Sequence, residues 1–208
     1  MSYLAGMGVM AGLASGSMGS IWEGERVRLR GIEPGDWESF MRFDQESEDV
    51  RSGGLLFQPR SAEGYRRWVA ERAAQALQVG VDDFDLAIES LSEGCLVGSI
   101  GTHQSDRLAG TFGFGLGVGR PHQRRGYASE AIVLLLRYMF GERRYQKANV
   151  GVYAYNAASL ELHAKLGFVV EGRRRRAVFM GGRHHDEVLL GLTVEEFTAA
   201  HPLPDVTA

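Results

Sequence analysis

Cysteine is nearly absent from this chain of 208 residues: there is one, Cys95. A single thiol excludes an internal disulfide framework and suits a reducing cytoplasm. Because Cys95 opens the apolar run CLVGSI, it is expected to be a small buried core residue rather than a nucleophile. Long hydrophobic runs are missing too. No stretch of about 18 apolar residues occurs, so neither a membrane-spanning helix nor a membrane partner is expected. Nor is there an excess of basic charge: 23 Lys and Arg stand against 26 Asp and Glu, a formal charge of -3. That balance argues against general nucleic-acid binding, DNA included. The first 20 residues, MSYLAGMGVMAGLASGSMGS, lack the basic start of a secretory signal and are broken by Gly and Ser. Residues 1–20 therefore read as a flexible tail and 21–208 as a single domain, without internal repeat or linker.

What is present has the order β, α, α, three β, α, β, α, two β. ERVRLRGI alternates as a strand, and PGDWESFMRFDQ opens a helix with Pro34 near its start. SAEGYRRWVAERAAQALQ is a second helix, with Ser61 as N-cap and Tyr65, Trp68, Val69 and Leu77 in helical spacing. DFDLAIES, CLVGSIGTH and TFGFGLGV suggest an antiparallel meander. The segment from Gly126 to Phe140 is apolar around most of its circumference, as a helix buried on a sheet would be. A strand, ANVGVYAY, and a short helix closed by Gly167 follow, then two strands joined across Gly181 and Gly182.

Glycine is abundant, and its placement carries the chemistry. Gly113, Gly115, Gly117 and Gly119 fall at every second position of one strand, so one face is stripped bare while Phe112, Phe114, Leu116 and Val118 fill the other. The strand runs into RPHQRRGYASEA, where a basic loop meets a helix start. Unpaired N–H groups and the positive end of the helix dipole suit an anion there, and Gly126 lets it approach the backbone. The pattern places a diphosphate on the N–H groups from Arg125 to Ala128, with Arg120, Arg124 and Arg125 adding charge. No Lys-Ser or Lys-Thr pair completes a Walker A loop, and no third glycine opens a helix as in a dinucleotide fingerprint. A tight strand-to-helix connection with solvated arginines would leave the same residues.

QRRGYA, Gln123 to Ala128, resembles the acetyl-CoA loop of the GNAT N-acetyltransferase superfamily. Downstream, YNAASLELHAKLGFVVEG and GRHHDEVLLGLTVEEF resemble its RimJ/RimL-like branch. The resemblance implies an α/β (α+β) fold: a mixed, mainly antiparallel sheet of six to seven strands flanked by helices, with a splayed V-shaped cofactor cleft. It implies acetyl-CoA as cosubstrate, without a metal, with its pantetheine arm along Leu116, Gly117 and Val118 and its diphosphate on Gln123, Arg124, Arg125, Gly126, Tyr127 and Ala128. Asn156 would contact the pantetheine arm and Ser159 would lie near the cofactor. His163 falls where many relatives carry a tyrosine that protonates the departing thiolate, so His163 and Ser159 are the catalytic candidates. The acceptor would be a primary amine: a protein N-terminus, a ribosomal protein's included, or a small polyamine, amino acid or aminoglycoside. The protein would act as a monomer or homodimer.

Many relatives place a glutamate on the glycine-rich strand, and TFGFGLGV has no carboxylate. The base candidates are Asp106, Glu171, Asp186 and His103. The missing carboxylate and the histidine at 163 also motivate a rival reading, a non-catalytic sensor that keeps the acyl-CoA cleft. Adjacent His184 and His185 would face opposite sides of a strand and make a poor metal pair. Arg173 to Arg176 reads as a solvated strand rather than an RNA patch. Acceptor choice is expected in Val50 to Arg60 and Arg173 to Asp186.

Overall fold

The computed structural model describes residues 20–52, 56, 58–75 and 82–203. The expected tail lies outside them, except for Ser20, as do Leu77 of the second helix and part of the Val50 to Arg60 segment. Seven strands form one sheet in the order β1-β2-β3-β4-β5-β7-β6. They are β1 (Val27–Arg30), β2 (Asp85–Ser90), β3 (Cys95–Asp106), β4 (Thr111–Val118), β5 (Lys147–Tyr153), β6 (Val169–Met180) and β7 (Arg183–Thr193). All neighbours pair antiparallel except β4 and β5, so the expected mixed sheet and its meander are present.

The helices are α1 (Trp37–Gln45), α2 (Ser47–Ser52), α3 (Ala62–Ala73), α4 (Tyr127–Gly141), α5 (Ala157–Lys165) and α6 (Val194–Ala200). The Ser61 side chain caps α3 through Gly64 N–H, as its spacing suggested. Neither α2 nor α6 was foreseen. For α6 the signal was there: Thr193 and Glu196 form a reciprocal capping box.

Two apolar clusters divide the helices between the faces of the sheet. α4 buries Ile132, Leu135, Leu136 and Met139 against the larger one, which includes Phe112 and Phe114 of β4. Phe40, Tyr65 and Val69 of α1 and α3 pack with Ala87 and Leu96 in the smaller one. Phe43 of α1 lies against Gly119, which puts α1 on the glycine face of β4.

Gly167 ends α5 at φ +91°, and Gly181 and Gly182 turn the β6–β7 hairpin at +58° and +81°, conformations costly for other residues. Arg173 to Arg176 are all exposed. Their alternation is interrupted by a register shift between Arg174 and Val178, with Arg176 at φ +54°. Cys95 corrects the expectation of burial. It is the first residue of β3, exposed beside the turn at Gly94, and the buried part of the strand begins at Leu96.

Candidate active site

The parallel pairing of β4 with β5 stops almost as soon as it starts. Thr111, Phe112 and Gly113 pair with Lys147, Ala148 and Asn149, after which β4 continues to Val118 and β5 to Tyr153 without pairing to each other. The sheet is thus split from Gly113 onward, and α4 and α5 begin beyond the two parted strand ends. At Gly115 and Gly117 no atom lies within 4 Å of where a Cβ would stand. Gly113 and Gly119 differ from the expected bare face, because His103 and Phe43 cover them. The open stretch is therefore shorter than the glycine row, and it lies beside the split.

At the far end of β4, the Gln123 side-chain amide donates to the Val118 carbonyl at 3.0 Å and fixes the loop against the strand. Arg124 and Gly126 both adopt left-handed backbone, φ +59° and +84°. Gly126 is the N-cap of α4 and supplies no capping side chain, so the first-turn N–H groups up to Ala128 face the loop. Tyr127 contributes backbone alone: its ring is buried, and its hydroxyl accepts from Ser90 at 3.1 Å. Arg125 is held by Glu93, whose carboxylate also lies 3.3 Å from His122 Nδ1 and 3.6 Å from the Cys95 thiol. The Glu161 carboxyl of α5 is held below its ordinary pKa chiefly by Lys165, with the charge of Arg124 adding to it.

One arginine of this region was not foreseen. Glu130, in the first turn of α4, accepts the backbone N–H groups of Glu25, Arg26 and Val27, each at 2.8 Å. This anchor brings Arg26 over the loop, its Cδ 3.4 Å and Nε 3.5 Å from a Cβ placed on Gly126. Arg26 and Gly126 are 100 positions apart in sequence, so no local pattern could have revealed the contact.

Asn156, Ser159 and His163 come together at the start of α5. The Asn156 side chain caps the helix, accepting Ser159 N–H at 3.1 Å. His163 Nδ1 lies 2.8 Å from the Ser159 carbonyl and 3.3 Å from its hydroxyl. A carbonyl only accepts, so Nδ1 carries the proton. The ring is 2% exposed between Phe114 and Phe168, and Nε2 has no partner among the described residues. Burial pushes its pKa below the ordinary 6.5, opposed by the bond to Ser159. At neutral pH the imidazole is uncharged, with a lone pair rather than a proton at Nε2.

A pH signature follows. The unfolded chain takes up this proton below about pH 6.5, whereas the folded chain resists. The stability contribution is thus complete above that pH and is lost as pH falls through the lower folded value. NMR of ring-labelled protein should show the Nδ1–H tautomer of His163 persisting below pH 6.5; titration at 6.5 or above would contradict the burial argument.

The four base candidates separate. Asp106 caps the turn before β4 through Leu108 and Ala109 N–H. Glu171 pairs with Lys147 at 2.6 Å, and Asp186 with Arg173 at 2.7 Å. His103 alone of the four lies at the split, its ring over Gly113. A cavity of about 560 Å³ opens where β5 ends, lined by Arg51, Tyr155, Asn156, Met180, Arg183 and His185. Tyr155 closes one side, donating to the Arg51 carbonyl at 2.8 Å and stacking edge-on with His185.

Comparison with known proteins agrees with this geometry. The acetyltransferase (GNAT) domain family matches residues 26–169. YokL, a prophage-derived uncharacterized N-acetyltransferase of Bacillus subtilis, is 41% identical over 181 residues, covering 86% of this chain and 97% of its own. The uS5-alanine N-acetyltransferase of Escherichia coli is 30% identical over 84 residues, 40% of this chain and 43% of its own. Among solved structures, spermidine N-acetyltransferase of Vibrio cholerae, in complex with CoA and spermine, superposes with a TM-score of 0.71 at 18% identity, over 84% of this chain and 99% of its own.

Proposed function

Because the chain belongs to the GNAT acetyltransferase family and is an acetyl-CoA-dependent N-acetyltransferase, we propose how its residues divide the work. The observation that carries the reading is the split after Gly113 and Asn149. Acetyl-CoA places its diphosphate on the loop from Gln123 to Ala128, with Arg26, Arg124 and Arg125 around it. Its pantetheine arm runs along Leu116, Gly117 and Val118 as an added strand, and Asn156 meets it from α5. The thioester then lies near Gly113 to Gly115, where the amine arrives from the glycine face. No metal is needed.

The amine must be neutral to attack. Its nitrogen bonds to the thioester carbon, the C–S bond breaks, and the amine's proton passes to the His103 imidazole directly or through water. The Ser159 hydroxyl donates to the departing sulfur. His163, the other catalytic candidate, acts as a positioning residue that fixes the Ser159 turn, since its neutral ring has no proton at Nε2 to deliver. The non-catalytic sensor gains no support from the relatives, which are named as acetyltransferases. The protein works in the cytoplasm as one domain over residues 21–208, on a peptide N-terminus or a small amine.

Acetyl-CoA and CoA at about 100 times their Kd should stabilise the protein by roughly 2.7 kcal/mol, a Tm rise of roughly 5 to 10 °C. ATP and NAD should give none; a shift with those alone would overturn the loop assignment. His103→Ala should keep the CoA shift and lower kcat about 100-fold. An unchanged kcat would remove His103 as the base.

A further inference from the structure

The cavity that opens where β5 ends has a basic lining. Arg51, Arg183 and His185 line it, and among the described residues no carboxylate does. The neighbouring hairpin does not restore the balance. Its three carboxylates are each already engaged by a cation: Glu171 by Lys147, Asp186 by Arg173 and Glu187 by Arg174. Arg175 and Arg176 line a separate concavity with that same Asp186, whose carboxylate also accepts the Arg176 backbone N–H. Among the described residues, neither Arg51 nor Arg183 forms an ion pair with a carboxylate, and both are exposed.

The walls beneath these arginines are fixed. Tyr155 is held by the Arg51 carbonyl and stacks parallel on Tyr153, with ring centroids 5.7 Å apart. His185 Nε2 lies 3.1 Å from the Met180 carbonyl, so this nitrogen donates to it. The cavity thus has an aromatic floor and a basic rim, and it reaches Asn156 at the start of α5, next to the split.

We propose that the acceptor carries an acid group, a carboxylate or a phosphate, on the same small skeleton as its reacting amine. This rests on the acetyl-transfer reading above and names its substrate class. The acid is met by the planar forks of Arg183 and Arg51, which suit carboxylate and phosphate oxygens alike. The amine, uncharged when it reacts, is directed along the glycine face toward the thioester. A polycationic amine would bring further positive charge to the same rim, so like-charge repulsion selects against it.

The test measures CoA release for matched amines that differ only in the acid: leucine against leucinamide, β-alanine against its amide, phosphoethanolamine against ethanolamine, with spermidine as the polycation. Rates are referred to the free-base fraction of each amine. The acidic member of at least one pair should be preferred about 10- to 100-fold in kcat/KM, the range of a charge-assisted hydrogen bond; the carboxylate and phosphate pairs tell the two sources apart. Arg183→Gln should bring that ratio close to one and Arg183→Lys should restore part of it, with the CoA-induced Tm shift kept in both. Equal or faster release with the neutral amines or spermidine would overturn the inference and leave acetyl transfer standing. CoA binding without amine-dependent release from any of these compounds would overturn both.

Discussion

Gly115→Phe is expected to leave the protein folded at its wild-type Tm, within about 2 °C, and to lower acetyl transfer at least 100-fold. The two halves of this result have separate causes. A Cβ at Gly115 meets nothing within 4 Å, its backbone is ordinary extended strand, and phenylalanine favours strands more than glycine does. Stability therefore has no reason to fall. The ring projects from β4 one alternation beyond Gly113, on the face proposed above for the amine. A displacement of about 1 Å between reacting groups can cost roughly 100-fold, and an aromatic ring displaces by more. Rate assays with calorimetry on the same preparation check it; a folded variant at wild-type rate would mean the reaction does not use this face.

Asp82→Asn is expected to act in the opposite way, on stability and not on chemistry. Asp82 is 4% exposed and accepts Arg107 Nε at 2.7 Å, Arg143 Nε at 2.9 Å and the Tyr145 hydroxyl at 2.8 Å. Burial alone would raise its pKa, but Arg107, Tyr145 and Arg143 overcome that and hold it at about 2. The amide keeps the shape, yet it removes the charge and turns an NH2 toward guanidinium donors. Breaking such a pair costs about 3 kcal/mol, a Tm loss of roughly 6 to 12 °C. The carboxylate's contribution is complete above the unfolded value near pH 4 and is lost as pH falls through about 2. The gap between wild type and variant should therefore narrow on acidification below pH 4. A gap that stays constant there would mean the lost stability is not electrostatic.

Local pattern made much of the fold legible. The apolar circumference of α4, the cap at Gly167 and the glycine pair at Gly181 and Gly182 each depend on neighbours in sequence, and each stands where the pattern put it. The passage from β4 through a loop into α4 was readable for the same reason. What could not be read depends on register between strands or on approach between distant elements. His103 covers Gly113 because of how β3 pairs with β4. Asp82 meets Arg143 and Tyr145 across some sixty residues. The apolar run at Cys95 misled because periodicity identifies a strand without fixing which residue starts it, and the first residue beside a turn faces water.

The anchoring of Glu25, Arg26 and Val27 by Glu130 also orders events in time. The first strand of the chain is fastened by a side chain made a hundred residues later, and contacts so distant in sequence close late because a long loop must be ordered first. During synthesis this fastening therefore waits for the first turn of α4, although β1 pairs with β2, which is made earlier. Arg26 settles over Gly126 in that same docking step. The loop at Gly126 therefore gains its arginine cover only when the segment before β1 meets α4, and a chain stalled before α4 would lack both the anchor and the cover.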